Sequence, residues 1–135
     1  MKHLFLMDPI EEIRVDLDST FALMLEAQRR GHEIVYATVE QLYGEAGCAW
    51  ANAHHVTVKP IQGEHATLGP AQDLKLSDHD VVWMRKDPPF NMGYIFNTYL
   101  LDLAETGALV VNAPGGLRAF NEKAWTLQFP SLVPP

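Results

Sequence analysis

"HLFLMDPIEEIRVDLDSTFALMLEAQRRGHEIVYATV", residues 3–39, sets out the grammar of the fold. HLFLM (3–7) is a short apolar run halted by Asp8-Pro9, the pattern of a buried strand. Residues 8–17 are charged and irregular. The spacing then predicts a helix opening at Asp18 or Ser19, either of which can cap it. Phe21, Ala22, Leu25 and Gln28 would share its inner face. Arg29 and Arg30 suit the negative end of its dipole, and Gly31 supplies a left-handed stop. HEIVYATV (32–39) reads as a second strand.

The same alternation continues down the chain. QLYGEAG (41–47) is expected to hold a short helix or turn. CAWANAHHVTVKP (48–60) contains two strand-like pieces around Asn52, able to pair antiparallel. IQGEHATLGPAQ (61–72) is rich in glycine and polar residues and reads as a loop. VVWM (81–84) is the strongest buried strand. GYIFNTYLLDLAETG (93–107) is a helix with Tyr94, Phe96, Tyr99, Leu100 and Leu103 in a broad apolar stripe, stopped at Gly107. Its aromatic residues read as core and helix cover rather than as a stacking platform. ALVVN (108–112) is a further core strand. APGGLRAFNEKAWTLQF (113–129) is a Gly-Pro turn followed by a helix, and PSLVPP (130–135) resembles a domain edge or linker. Strands alternating with helices define an α/β fold of three layers, and strands of near-continuous Val, Leu and Trp suit a mostly parallel sheet covered on both faces.

The totals bound what such a domain can do. The chain has 135 residues, enough for one core; it is 47% hydrophobic and 20% charged, as globular domains are. A net charge of −7 argues against nucleic acid, which needs a concentrated basic surface. Cys48 is the single cysteine, so no internal disulfide is possible; it reads as an inert thiol in a reducing cytosol. MKHLFLMDP has one basic residue and an apolar run too short for a signal peptide, and no uncharged stretch approaches a membrane span. The expectation is a soluble, cytoplasmic protein with no nucleic-acid or membrane partner.

Ligands of open α/β sheets gather at the carboxyl ends of the strands, near the point where strand order reverses. Asp8, Thr38, Glu40, Asn112 and the trio Arg85, Lys86 and Asp87 occupy those positions. Arg85 offers a bidentate fork for a carboxylate or phosphate. Asp87 can pair with it or hold a ligand amine. Pro88 and Pro89 stiffen the backbone behind the charges, and an X-Pro bond there can be cis. On spacing alone the trio is equally a solvated strand end whose charges pair with one another. The helix starting at Ser19 can direct its free amides at an anion. Other constellations are weaker. No G-x-G-x-x-G follows the first strand, and the PGG at 114–116 lacks the G-K-[ST] of a phosphate loop. The six histidines are scattered, and His54 and His55, adjacent on a strand, point to opposite faces and cannot chelate one metal. A receiver domain fits Asp8 but not the Arg-Lys that ends VVWM.

MDPIEEI (7–13), DSTFALMLEAQRRGHEI (18–34), DHDVVWMRKDPPFN (78–91) and VVNAPGGLRAFNEKAW (110–125), in that order, resemble the N-terminal domain of prokaryotic glutathione synthetases. The resemblance covers essentially the whole chain. It implies a Rossmann-like pre-ATP-grasp fold, with the substrate domain over 1–122 and the start of a junction to an ATP-grasp domain over 123–135. It implies a ligase that joins γ-glutamylcysteine to glycine with ATP and magnesium through an acyl phosphate. The ATP-grasp part, with the glycine-rich lid and magnesium ligands, would lie beyond this chain, so residues 1–135 alone are expected to be inactive and to bind no cofactor tightly. By the same resemblance, Arg85, Lys86 and Asp87 stand at the interdomain cleft with Asp18 and Ser19, as substrate-binding residues. Lys123 of the NEK segment would reach the nucleotide phosphates, with Arg118 and Asn121 positioning it; otherwise it is an exposed helix lysine. Ser19 is equally a plain cap, and Asp8 equally a turn residue. Such domains also contribute to subunit contacts, which implies a homo-oligomer. The competing reading is a non-catalytic binding or dimerisation module of the same fold.

Overall fold

The structure, a computed structural model, describes residues 1–120 and 124–132. Its centre is a parallel sheet of four strands in the order β2 (Glu33–Ala37), β1 (Lys2–Leu6), β6 (Val81–Met84), β7 (Leu109–Val111). Registers run His3 beside Ile34 and Val81, and Val82 beside Val110. The chain steps from β1 to β2 on one side and later to β6 on the other. The order therefore reverses at the gap between the ends of β1 and β6.

Period-two alternation along these strands builds two cores. Phe5, Met7, Ile34, Tyr36, Val56 and Val58 pack one face under α1 (Ser19–Arg29). Leu4, Leu6, Val35, Ala37, Val82 and Met84 pack the other under α2 (Met92–Ala104). Ala49, Ala51 and Ala53 extend that second floor, and Leu101 and Ala104 settle on it without exposure. Each large apolar side chain so buried contributes about 1.5–3 kcal/mol.

The first helix follows its expected boundaries, the second stops at Ala104, short of Gly107, and both present a different face from the expected one. Asp18 caps α1, its Oδ1 accepting the Phe21 N–H at 2.7 Å, and Gly31 takes the left-handed conformation at φ 75°. The buried side of α1 is Thr20, Phe21, Met24 and Ala27; Ala22 faces solvent and Leu25 only flanks the core. In α2 the buried residues are Thr98, Leu101 and Ala104, while Phe96 and Tyr99 stand about half exposed. A flat floor of alanines accepts a narrow seam, so the aromatic residues flank it instead of filling it. The last helix, α3 (Pro114–Ala119), begins at the proline and includes both glycines expected in a turn.

The largest departure is an antiparallel wing beside β2. QLYGEAG is a strand, β3 (Leu42–Glu45), after a single 3₁₀ turn over Val39–Gln41. A two-residue turn, Ala46 and Gly47, both with positive φ, joins it to β4. β4 (Cys48–Val58) is one unbroken strand, not two pieces. The stretch read as a loop is mostly β5 (Ala66–Lys75), paired along β4. Its glycine and proline have ladder-compatible roles. The register shifts between His54 and Val56, and Gly69 lies against the His55 backbone there, where a Cβ would meet the His55 carbonyl oxygen at 3.3 Å. Pro70 is tolerated because β5 pairs on one edge only.

Candidate functional site

At the β1–β6 gap a cleft of about 420 Å³ opens, lined by Met7, Asp8, Glu12, Ser19, Arg85 and Asp87 among others. Its rim, residues 9–18, is short on regular structure and is held from outside. Tyr36 Oη accepts the Ile10 N–H at 3.0 Å, and His65 Nε2 lies 2.6 Å from the Ile10 carbonyl. Gln62 donates to the Ile13 carbonyl and accepts from the Val15 N–H, both at 3.0 Å. The wing, through residues 62 and 65, thus fixes the lip of the cleft. Burial pushes the Tyr36 phenol pKa up, so it stays neutral there.

Arg85 leaves β6 with its N–H bonded to the Leu6 carbonyl at 2.8 Å, which extends the ladder by one residue. Its Nε donates to Thr20 Oγ1 at 3.0 Å and one Nη to Ser19 Oγ at 2.8 Å. Both partners are neutral hydroxyls on the first turn of α1. Among the described residues Arg85 has no carboxylate partner. Two hydroxyls therefore orient the guanidinium along one edge and leave its charge uncompensated.

Lys86 behaves otherwise. Its ammonium sits 2.6 Å from Asp8 Oδ1 and 3.1 Å from the Asp87 carbonyl oxygen. The hydrogen bond to Asp8 raises its pKa above the ordinary lysine value. The other Asp8 oxygen accepts the Asp87 N–H at 2.9 Å. One carboxylate thereby ties the end of β1 to the end of β6 across the switch point. The body of Lys86 turns away from the cleft, lining two other crevices, one of about 390 Å³ beside Glu40 and Asn97 and one of about 200 Å³ beside Phe90 and Asn112. The Pro88–Pro89 peptide is cis.

The structure therefore brings four of the expected residues, Asp18, Ser19, Arg85 and Asp87, to one cleft and sets Lys86 apart on its flank. Lys123, with Asn121, lies outside the described residues. Arg118 is engaged by α2: its guanidinium meets the Asp102 carboxylate at 2.9 Å and Thr98 Oγ1 at 3.0 Å, and lies 4.7 Å from the Tyr99 ring centre. Thr20, buried, was not singled out by sequence; its only signal was its place beside the cap. Asp8 emerges as a hub instead of a plain turn residue. Among the described residues no group of three or more His, Cys, Asp or Glu could hold a metal ion, and no helix is long and apolar enough to cross a membrane.

An open, mostly parallel α/β sheet covered by helices on both faces defines a domain of the Rossmann-like class. Residues 1–118 match the family described as prokaryotic glutathione synthetase, N-terminal domain, and the chain belongs to that family. Glutathione synthetases of Yersinia pestis and Escherichia coli strain K12 are each 46% identical to it over 129 residues, and that of Vibrio cholerae 47%. The match takes in 95% of this chain but only 40–41% of theirs, so the chain spans about two-fifths of the length of these relatives.

Proposed function

We propose that this chain supplies the peptide-substrate wall of a glutathione synthetase active site. In that reading the whole enzyme ligates γ-glutamylcysteine and glycine in the cytoplasm, using ATP and magnesium through an acyl phosphate. The nucleotide and metal chemistry belongs to an ATP-grasp domain in the part of the relatives this chain does not span, and residues 123–135 form the junction to it. The observation that carries the reading is Arg85, aimed by Ser19 and Thr20 and, among the described residues, paired with no carboxylate, in a cleft that Asp87 also lines. γ-Glutamylcysteine presents carboxylates and an amine. Arg85 receives a carboxylate and Asp87 the amine, with Ser19 and Asp18 at the edge of the same contact. Closing a second domain over this wall would keep water from the acyl phosphate.

The test uses the full-length protein that carries this domain. Arg85→Ala is expected to raise the KM for γ-glutamylcysteine by an amount equivalent to roughly 1.5–3 kcal/mol, the value of a charge-assisted hydrogen bond. A change confined to the KM for ATP would remove Arg85 from the peptide side. The 135-residue chain by itself is expected to release no phosphate that depends on ATP, γ-glutamylcysteine and glycine together; such release would place the whole activity in this chain.

A further inference from the structure

Two adjacent cations leave the end of β6, and among the described residues only one of them has a carboxylate partner. Asp8 takes up Lys86 through one oxygen and the Asp87 backbone through the other, while Arg85 meets hydroxyls alone. We propose that Asp8 is a specificity-determining positioning residue: by neutralising Lys86, and with Arg14 at the cleft paired to Asp16, it leaves Arg85 the one cation there without a carboxylate partner among the described residues, so the cleft accepts one carboxylate beside an amine and rejects phosphate and other polyanions. This rests on the proposed peptide-side reading of the cleft and adds its selectivity.

The physical case is one of charge count. Phosphate recognition gains with each further cation at hand, whereas a lone carboxylate is served by one guanidinium fork. With Arg85 and Lys86 both free, the end of β6 would present two positive charges on neighbouring residues. The end-on N–H groups of Arg85 remain available because the hydroxyls of Thr20 and Ser19 occupy its Nε and one Nη hydrogen. Glu12, Asp18 and Asp87 also line the cleft, and Arg14 there is already paired with Asp16 at 3.0 Å, so the remaining charges disfavour a second negative group on a ligand. In the proposed reaction, which consumes ATP and releases phosphate, a peptide cleft that phosphate cannot fill is an advantage. The ordinary pull of two strand ends together would need only the Asp87 backbone bond. The short contact to Lys86 goes beyond it.

The probe is inorganic phosphate, titrated at low ionic strength onto the 135-residue chain and followed by amide chemical shifts. Asp8→Asn keeps an oxygen for the Asp87 N–H but releases Lys86. It is expected to tighten phosphate binding about tenfold or more, a gain that fades as salt is added. Asp8→Asn with Lys86→Gln should bring phosphate binding back to the original level. Should Asp8→Asn fail to fold, Lys86→Gln alone carries the test: it strands the Asp8 carboxylate and should weaken phosphate binding. Phosphate binding unchanged in Asp8→Asn, or a tightening in Lys86→Gln, overturns the proposal. In the full-length protein, Asp8→Asn should make phosphate a stronger competitor of γ-glutamylcysteine while the KM for ATP holds. The phosphate titration needs no turnover, so a failure of the peptide-side reading would show in Arg85→Ala kinetics and leave the titration standing.

Discussion

The two ends of the parallel sheet handle polar groups in opposite ways. At the amino end nearly everything is matched inside the protein. Trp83 Nε1 donates to His3 Nδ1 at 3.0 Å, which leaves the other His3 nitrogen, 2.9 Å from His32 Nδ1, to act as donor. The rings of His3, Phe5 and Trp83 stack, the Lys2 N–H binds Asp80, and Glu33 faces His55 at 3.2 Å. At the carboxyl end Arg85 meets only hydroxyls and the Asp87 side chain has no ion pair among the described residues. The same strands thus use one end for internal cohesion and, in the proposed reading, keep the other ready for a ligand. A charge without a partner contributes little to folding, but it is what a binding site needs in reserve.

Substitutions at the two ends should therefore separate stability from binding. The largest effect is expected from Phe5→Ala. Phe5 has no exposure and packs against both the His3 and the Trp83 ring, with centroids at 6.1 and 5.7 Å. Its truncation should lower the unfolding free energy by about 3–5 kcal/mol in denaturant titration. Folded Phe5→Ala should still bind γ-glutamylcysteine normally in the full-length context. A loss of binding that exceeds its loss of stability would mean the two ends are coupled through β1.

Thr20→Val inverts that pattern on a smaller scale. Valine fills the same buried space on α1 but offers Arg85 Nε no acceptor. The expected outcome is a rise of roughly two- to tenfold in the KM for γ-glutamylcysteine, the value of one ordinary hydrogen bond. The unfolding midpoint should hardly move, because water can reach the partly exposed guanidinium. A large stability loss with unchanged KM would make Thr20 a core residue with an incidental contact.

How far these ends could be read from the sequence differs in the same way. The parallel strands and their helices were legible, since a buried strand and an amphipathic helix each leave a local periodic trace. The wing was not. Gly69 and Pro70 look like loop residues until β4 lies beside them, and a register shift at His55 has no signature in either segment alone. The cleft was legible as a place, because strand ends are readable, but not as a division of labour. That Arg85 meets Ser19 and Thr20 while Lys86 meets Asp8 depends on contacts 65 to 78 residues apart, which no spacing rule encodes. The exposed aromatics of α2 were misread for a related reason: helical period alone does not say how wide a floor the helix will find.

The smallest effect, and the most direct check on the contrast, is in pH. Burial lowers the pKa of His3 and of His79, and His32 and the amino terminus add to the effect at His3. The unfolded chain then binds more protons than the folded one just below the ordinary histidine value of about 6.5, so stability is full above that pH and falls as pH drops through it. Protonating His3 would also remove the acceptor for Trp83 Nε1. Lys86 shifts the other way, raised by Asp8, so its contribution is full below the ordinary lysine pKa of about 10.4 and is lost as pH rises beyond it. Acid should therefore loosen the amino end and alkali the carboxyl end. Hydrogen exchange read at His3 and Ile34, paired near the start of the strands, against Asp87 should show protection lost first at 3 and 34 in acid. His3→Gln should flatten the acid limb of a thermal-midpoint profile while leaving the alkaline limb intact. If that substitution moved both limbs equally, the two ends would be one cooperative unit, and the separation of cohesion from binding would not hold.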